Sequence, residues 1–597
     1  MYIAGTNFRT TCVRIFFPAG LLRFFSGIFL FLFTASAATA SGPAPPKREV
    51  RAVWIATVLG LDWPKSADRE EQERSLREMI RKLAAAHFNT IFFQVRGRAD
   101  AMYRSDYEPW SPQLTGTLGK DPGWDPLAVV LEEAHARCME VHAWFNTVMV
   151  KNGGGPPAES SPRHLILAHP DWIHEVNGEW WLDPGIPDAR RYLINVAMDL
   201  VRKYDIDGFQ FDFLRYPVQE FPDQTTYRHY GRSVPKDEWR RDNINAIARQ
   251  FRDSALAVRP RLKIGSSPIG IYRNTSGFRG LQSYTDLYQD SRRWILEGWQ
   301  DYLAPQLYWP LGGGSGDPDF ALVLRDWSEH AGGRHLYPGI GAYKPAVFPD
   351  IPRLIDLSRE EGMQGNSFFR YSNIEDFLAM GGRYPAPALI PPMLWRDSVP
   401  PLPPADLRVR TMNDGIVVLR WSTPLPAADG ELPAAYVVYR SPDGEPDRTR
   451  PGNIVAILPP VRHSYLDTIR ENGRAGYSYS VTAVDRLWNE SLPGKERLPV
   501  SELAVISRVF RDSGVVKEPF QPAGSSTVYF PYELVRVTPV ILRILDQRNR
   551  EVASVVDAVE LPGRHIAAAD VSGLHSGRYT SLCIFDDRTV KIPFDVR

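Results

Sequence analysis

Three cysteines in 597 residues are too few for a disulfide framework, and Cys12, Cys138 and Cys583 share no ligand spacing. The 12 histidines are scattered without the paired spacing of a zinc site, so the sequence predicts neither a metal centre nor a cofactor. Charge of one sign is also missing. The 70 basic and 70 acidic residues cancel, which disfavours nucleic acid and anionic membrane surfaces as partners. The apolar run GIFLFLF is short for a membrane span; Arg9, Arg14 and Arg23 precede it, and Ala38, Thr39 and Ala40 follow before Ser41. That order predicts a secretory signal peptide over residues 1–40, with a membrane anchor as the alternative, and hence a protein of the periplasm, the cell surface or the medium. No cysteine stands near the cleavage position, so a lipid anchor is not supported.

What is present is a globular composition, 43% hydrophobic, with a 12% aromatic share that includes 16 tryptophans. Flat amphipathic rings fill cores, and they also cover the apolar faces of sugars in binding clefts. From residue 48 to 390 eight strand-like apolar runs follow one another: 51–57, 89–95, 140–146, 207–213, 262–268, 301–308, 335–341 and 365–371. Segments with apolar residues at three- and four-residue spacing separate them, as in 69–87 and 188–204. Strands alternating with helices eight times predict an α/β fold, a (β/α)8 barrel, with long insertions after the second and third strands on the loop face.

In such a barrel the side chains at strand exits line the site. IDGFQFDFLRYP, residues 206–217, drives a buried strand into Asp212, followed by Arg215 and Tyr216. Asp212 is the leading catalytic candidate, as nucleophile, charge stabiliser or acid; a helix cap or a partner for Arg215 is the structural alternative. Asp207, five residues earlier, belongs near the barrel's other end and reads as structural. Glycosidic cleavage normally needs a second carboxyl group, but the later strand ends offer Ser266, Gln306, Tyr343 and Arg370. Loop residues are therefore the candidates for it: Asp100, Glu108, Asp183 and Asp290. Asp183 follows Trp180 and Trp181, which suits a sugar platform beside a hydroxyl-binding acid, and equally suits a helix start. Asp290 equally suits a cap or a partner for Arg292 or Arg293. Expected substrate contacts are Arg96 and Arg98, Asp100, Glu108, Trp144 and Asn146, Trp181, Arg215 and Tyr216, Gln306, Tyr308 and Trp309, and Tyr343.

Residues 391–403 form a Pro-rich linker that cannot continue a helix or an inner strand. Beyond it, short alternating strands with Trp421 early and Tyr477 and Tyr479 late resemble a fibronectin type III sandwich over 404–505. A further all-β unit, 515–597, resembles the C-terminal β-sandwich tails of secreted bacterial proteins, which implies a role in export or cell-envelope attachment.

Seven blocks in the barrel, REVRAVWIATVLGLDWP, FNTIFFQVRGRADAMY, IDGFQFDFLRYP, SSPIGIYRN, YQDSRRWILEGWQDYLAPQLYW, IGIGAYK and GMQGNSFFRYS, stand in the order of one family. The region resembles the bacterial glycoside-hydrolase-like family 10 proteins, a group that includes lipoproteins. The resemblance implies a glycosidase of denuded peptidoglycan, strands of alternating amino sugars stripped of their stem peptides. Members often carry two consecutive acids where this chain has Asp212 then Phe213, and lipoprotein members have a lipidated cysteine that it lacks. With N-acetylated sugars, the substrate's own amide oxygen is an alternative nucleophile that reduces the need to one acid plus an orienting group. Two other readings stay open: a non-catalytic carbohydrate-binding protein on a degenerate barrel, and a glycosidase of another extracellular polysaccharide.

Overall fold

The computed structural model describes residues 44–596 apart from 315, 376–383, 412–415, 443, 469–476, 495–514, 517, 520, 522–525, 535–537, 561–562 and 586–587. The segment read as a signal peptide lies outside the described residues. Among those described, no helix is long and apolar enough to cross a membrane.

The barrel strands are β1 (Val50–Ile55), β2 (Thr90–Arg96), β3 (Glu140–Asn146), β4 (Gly208–Asp212), β5 (Lys263–Ser266), β6 (Tyr302–Leu303 and Gln306–Leu307), β7 (His335–Leu336 and Gly339–Ile340) and β8 (Gly365–Phe368). Pro305 and Pro338 have no N–H to give the ladder, which is why β6 and β7 are each interrupted once. Every neighbouring pair is parallel, and β8 returns to β1 with Val50 opposite Gly365 and Ala52 opposite Ser367. The eight strand-like runs thus close into one ring.

Helices follow the strands: α1 (Arg69–Ala85), α2 (Pro126–His135), α3 (Pro187–Lys203), α4 (Lys236–Val258), α5 (Ser291–Leu296), α6 (Phe320–Glu329) and α7 (Ile351–Glu360). α1 shows why they form: Asp68 caps the Glu71 N–H at 2.8 Å, and Leu76, Met79, Ile80 and Leu83 recur at helical spacing on the buried face. A three-stranded antiparallel sheet, Met149–Asn152, Glu179–Leu182 and Ile173–Val176 in that spatial order, fills the insertion after β3.

The lumen is packed with rings. Trp54, Phe92, His142, Trp144, Tyr302 and Tyr337 point inward, and glycines on neighbouring strands leave room for them. A Cβ on Gly208 would lie 2.5 Å from the His142 ring, and one on Gly265 would lie 2.4 Å from Tyr302.

The barrel's N-terminal end is closed by the β-sandwich that follows the linker. Its two sheets are Ala405–Thr411, Ile416–Ser422 and Ser464–Thr468, and Ile454–Leu458, Ala435–Ser441 and Ser478–Val484. After the last of these strands Asp485 accepts the Leu487 and Asn489 N–H groups at 2.8 and 2.9 Å, folding a tight loop that presents Trp488. The Trp488 indole donates to Glu140 at 2.6 Å, and Glu140 also pairs with Lys263 and meets His142 at 3.0 Å. Burial favours the neutral acid, yet Lys263 and His142 hold the Glu140 carboxyl down at about 2. Arg486 from the same loop reaches Asp205 and Asp207 at 2.9 and 3.4 Å, so Asp207 does sit at the end opposite Asp212.

Residues 391–403 are seated rather than free. Met393 is buried, and Trp395 and Arg396 both donate to Asp301, at 3.0 and 2.6 Å. Arg261 of the barrel pairs with Asp397 of this segment and with Asp429 and Glu431 of the sandwich. A cavity of about 330 Å³ remains at the junction, lined by His135, Cys138, Asp205, Arg486 and Trp488 among others. The last unit pairs a three-stranded with a four-stranded sheet, and Val528, Phe530, Val540, Leu542, Phe585 and Phe594 form its core.

Trp488→Ala should cost about 3–5 kcal/mol by emptying the base and leaving Glu140 short of a donor. Urea unfolding checks this; a loss below about 1 kcal/mol would mean that the sandwich does not support the barrel.

Candidate active site

Side chains alternate along β4, so Phe209 and Phe211 pack outward against the helices while Gly208, Gln210 and Asp212 face the lumen. At the C-terminal end of the ring a cleft of about 320 Å³ opens over Asp212. The Asp212 carboxylate accepts the Trp144 indole N–H at 3.1 Å and the Phe213 N–H at 2.8 Å. Phe213 sits at φ 50°, a left-handed conformation that costs a bulky residue about 1–3 kcal/mol, and its amide turns back onto the acid. Burial raises the Asp212 pKa above the ordinary carboxylate value, against the opposing pull of the Phe213 amide, Arg215, Trp144 and Ser267.

An aromatic wall faces this acid. Phe369 stands at its centre, stacked on Tyr308 with ring centroids 5.6 Å apart and edge-on to Tyr343, Trp54 and Trp144 at 5.8, 6.0 and 6.2 Å. Tyr343 is 44% exposed and extends the wall to the rim. Burial and the nearby Asp212 charge push the Tyr308 phenol well above its ordinary pKa, so it remains a donor. Polar groups converge from other strands. Gln94 is fixed by the Thr57 and Val58 N–H groups at 2.9 and 2.8 Å, Asn146 donates to the Gly97 carbonyl at 2.9 Å, and Gln306 donates to the Ser267 carbonyl at 3.2 Å.

The cleft therefore brings together Asp212, Trp144, Asn146, Gln306, Tyr308 and Tyr343 from the residues that the sequence singled out. It does not bring in the others. Arg96 and Glu108 form a fully buried bidentate pair, with both contacts at 2.7 Å, and Arg96 also holds the Asn146 carbonyl. Asp100 is buried and accepts the Arg98 N–H at 2.9 Å. Asp183 is buried, taking the Gly185 N–H at 2.8 Å and the Thr226 hydroxyl, so its charge holds a turn. Asp290, at the start of α5, accepts the Tyr272 hydroxyl at 2.7 Å. Trp181 is buried against Phe213, with Arg215 lying across both rings at 5.5 and 5.0 Å. Tyr216 is buried and accepts from Asn243 at 3.3 Å, while Trp309 is half-buried against the space above Gly270. None of these lines the cleft.

Sequence reasoning missed Trp54, Gln94, Ser267 and Phe369. Inward parity along β1 and β2 could have found the first two; no local signal marks Phe369. Among the described residues lining the cleft, Asp212 is the one carboxylate, and neither histidine nor cysteine joins it, so the ligand set that a resident metal needs is not assembled there. One buried carboxyl group with a raised pKa, facing an aromatic wall with amide and phenol donors, can deliver a proton to a bound polyol or glycan.

The glycosyl hydrolase-like 10 family model matches residues 49–347. The glycosyl hydrolase YngK of Bacillus subtilis is 35% identical over 511 residues, covering 80% of this chain and 98% of its own. The glycosyl hydrolase DigH of Escherichia coli K12 is 33% identical over 339 residues, covering 51% of this chain and 77% of its own. Among solved structures, an α-L-fucosidase isoenzyme 2 from Paenibacillus thiaminolyticus aligns with 87% of this chain and 98% of its own at 12% identity and a TM-score of 0.37.

Because the fold raises the Asp212 pKa, the ionised side chain is a burden on stability. The burden is absent below the ordinary carboxylate range, grows as pH rises towards the raised value, and is complete above it. Asp212→Asn should therefore stabilise the protein by up to about 2 kcal/mol at neutral pH, and the gain in Tm should vanish in acid. Arg96→Ala should instead cost about 3–5 kcal/mol by leaving Glu108 buried and unpaired. Thermal unfolding of each variant between acid and neutral pH tests both.

Proposed function

We infer that this chain, which belongs to the glycosyl hydrolase-like 10 family and is a glycoside hydrolase, cuts peptidoglycan-type glycan strands whose stem peptides have been removed. In this reading the sugar's own N-acetyl group is the nucleophile and Asp212 is the general acid. The carrying observation is that one carboxylate, its pKa raised by burial, serves the cleft among the described residues that line it. A pair of enzyme carboxylates is the usual requirement, and an acetamido oxygen delivered by the substrate replaces the second.

The step balances as follows. The amide oxygen of the sugar in the cleft attacks its anomeric carbon as the glycosidic bond breaks, and Asp212 gives its proton to the departing oxygen. Water then opens the cyclic oxazolinium, returning a proton to Asp212, so configuration at the anomeric carbon is retained. In this reading Tyr308, Gln94 and Asn146, which line the cleft with Asp212, orient the acetamido group, and the wall around Phe369 takes the apolar face of a pyranose ring. The chain acts outside the cytoplasm, with residues 1–40 as a signal peptide, a fibronectin type III-like unit behind the barrel, and the last β unit attaching the protein to the cell envelope.

Incubation with amidase-stripped peptidoglycan should release shortened glycans detectable by mass spectrometry. Asp212→Asn should slow release by about 10²–10⁴-fold. Activity should fall as pH rises through the raised Asp212 pKa, because the acid must carry its proton; a loss on the acid side alone would assign the carboxylate another role. Inversion at the anomeric carbon, read by proton NMR, or a covalent adduct on any carboxylate would exclude amide participation.

A further inference from the structure

A second groove, about 520 Å³, is lined by Trp172, Thr225, Arg228, His229, Tyr230 and Arg232, with Asp171 and Asp188 at its edge. It lies between the turn that leads into the sheet inserted after β3, which gives Asp171 and Trp172, and the short helix Gln224–Tyr230 that follows β4. One edge strand of that sheet, Met149–Asn152, supplies Met149 and Asn152 to the catalytic cleft, and the other, Ile173–Val176, continues directly from Trp172. Edge to edge the sheet is two strand spacings, about 10 Å. One small sheet thus connects residues of the cleft with the Trp172 side of the groove.

The lining has the composition of a sugar site. His169 stacks on Trp172 at 3.7 Å with an interplanar angle of 5°, and Tyr192 meets it edge-on, so the indole is fixed. Tyr230 is 48% exposed and offers a second ring. Arg228, His229 and Arg232 form no ion pair among the described residues, and Asp188 pairs with Arg191 at 2.8 Å. Planar guanidinium and carboxylate groups present paired donors and acceptors to neighbouring hydroxyls, while the rings offer apolar faces. Trp172 packs against the edge of the barrel core, whereas Arg228, His229, Tyr230 and Arg232 are exposed, and Thr226 ties the groove to Asp183.

We propose that this groove is a second glycan-binding site that grips the same polymer at a distance from the bond being cut. The proposal rests on the reading of the chain as a polymer-cutting glycosidase. Its function is to raise the residence of long strands without touching the reacting atoms, so it separates polymer from short substrate.

The test uses the full chain with Tyr230→Ala and Arg232→Ala together, both exposed positions whose loss leaves the core intact. On stripped peptidoglycan KM should rise about 5–10-fold with kcat unchanged, whereas kinetics on the shortest soluble fragment that the enzyme cuts should stay the same. In parallel, Asp212→Asn protein should co-sediment with stripped peptidoglycan, chitin or another insoluble glycan, and the groove substitutions should weaken that retention by a similar factor. An unchanged polymer KM, equal losses on polymer and fragment, or retention on no glycan would each overturn the proposal. Failure of the functional reading looks different: the unaltered enzyme would cut no stripped glycan, while groove-dependent retention on any of the glycans would still support this site.

Discussion

Filling the lumen of an eight-stranded ring is the constraint on which everything else in this molecule depends. A closed parallel barrel has a fixed bore, and here it is filled by aromatic rings that are too large to face one another on every strand. Gly208 and Gly265 give up their side chains so that His142 and Tyr302 fit, and the His142 ring and Tyr302 hydroxyl then meet at 2.6 Å. Substitution at either glycine would push a Cβ into a ring with no space to move. The rings also decide the electrostatics above them. With Trp54, Trp144 and Phe369 around the mouth, Asp212 is buried beside rings, and that burial outweighs the Trp144 and Phe213 N–H groups that it accepts.

Much of this was legible in the sequence, for a physical reason. A parallel strand covered on both faces must be apolar almost throughout, so the eight runs stood out, and a charge at the C-terminal end of one of them pointed to the loop face. Period-two alternation then carried Asp212, Trp144, Asn146, Gln306 and Tyr308 to the cleft. The same counting failed at Arg96. Gln94 pairs with Trp144 and faces the lumen, but the register slips before Arg96, which pairs with Phe145 and lies over its ring at 4.8 Å on the outer side. Such an irregularity leaves no mark in composition or spacing.

Loop acids were illegible for another reason. Glu108, Asp183 and Asp290 have the same sequence signature as catalytic carboxylates, namely an acid in a polar loop after a strand. What distinguishes them is the partner each finds: Arg96 for Glu108, Thr226 for Asp183 and Tyr272 for Asp290. Those partners are set by how separate insertions fold over one another, so only the assembled loop face shows that these charges are already satisfied. The same holds for Phe369, whose place at the centre of the wall depends on where β8 ends relative to β6 and β7.

The sandwich behind the barrel belongs to the same electrostatic scheme. Between the sealed base and Asp212 lies Gln210, wholly buried, with neither amide atom hydrogen-bonded among the described residues. An unsatisfied buried amide costs about 1–3 kcal/mol and would be relieved by any water that reached it. Trp488, Glu140 and Lys263 close the end from which water would come, and they do so with a charge network that is itself complete. An opened base would let water reach Gln210 and satisfy its amide. The sandwich thus contributes to the packing and charge balance of the barrel's base, and among the described residues none of its side chains lines the cleft.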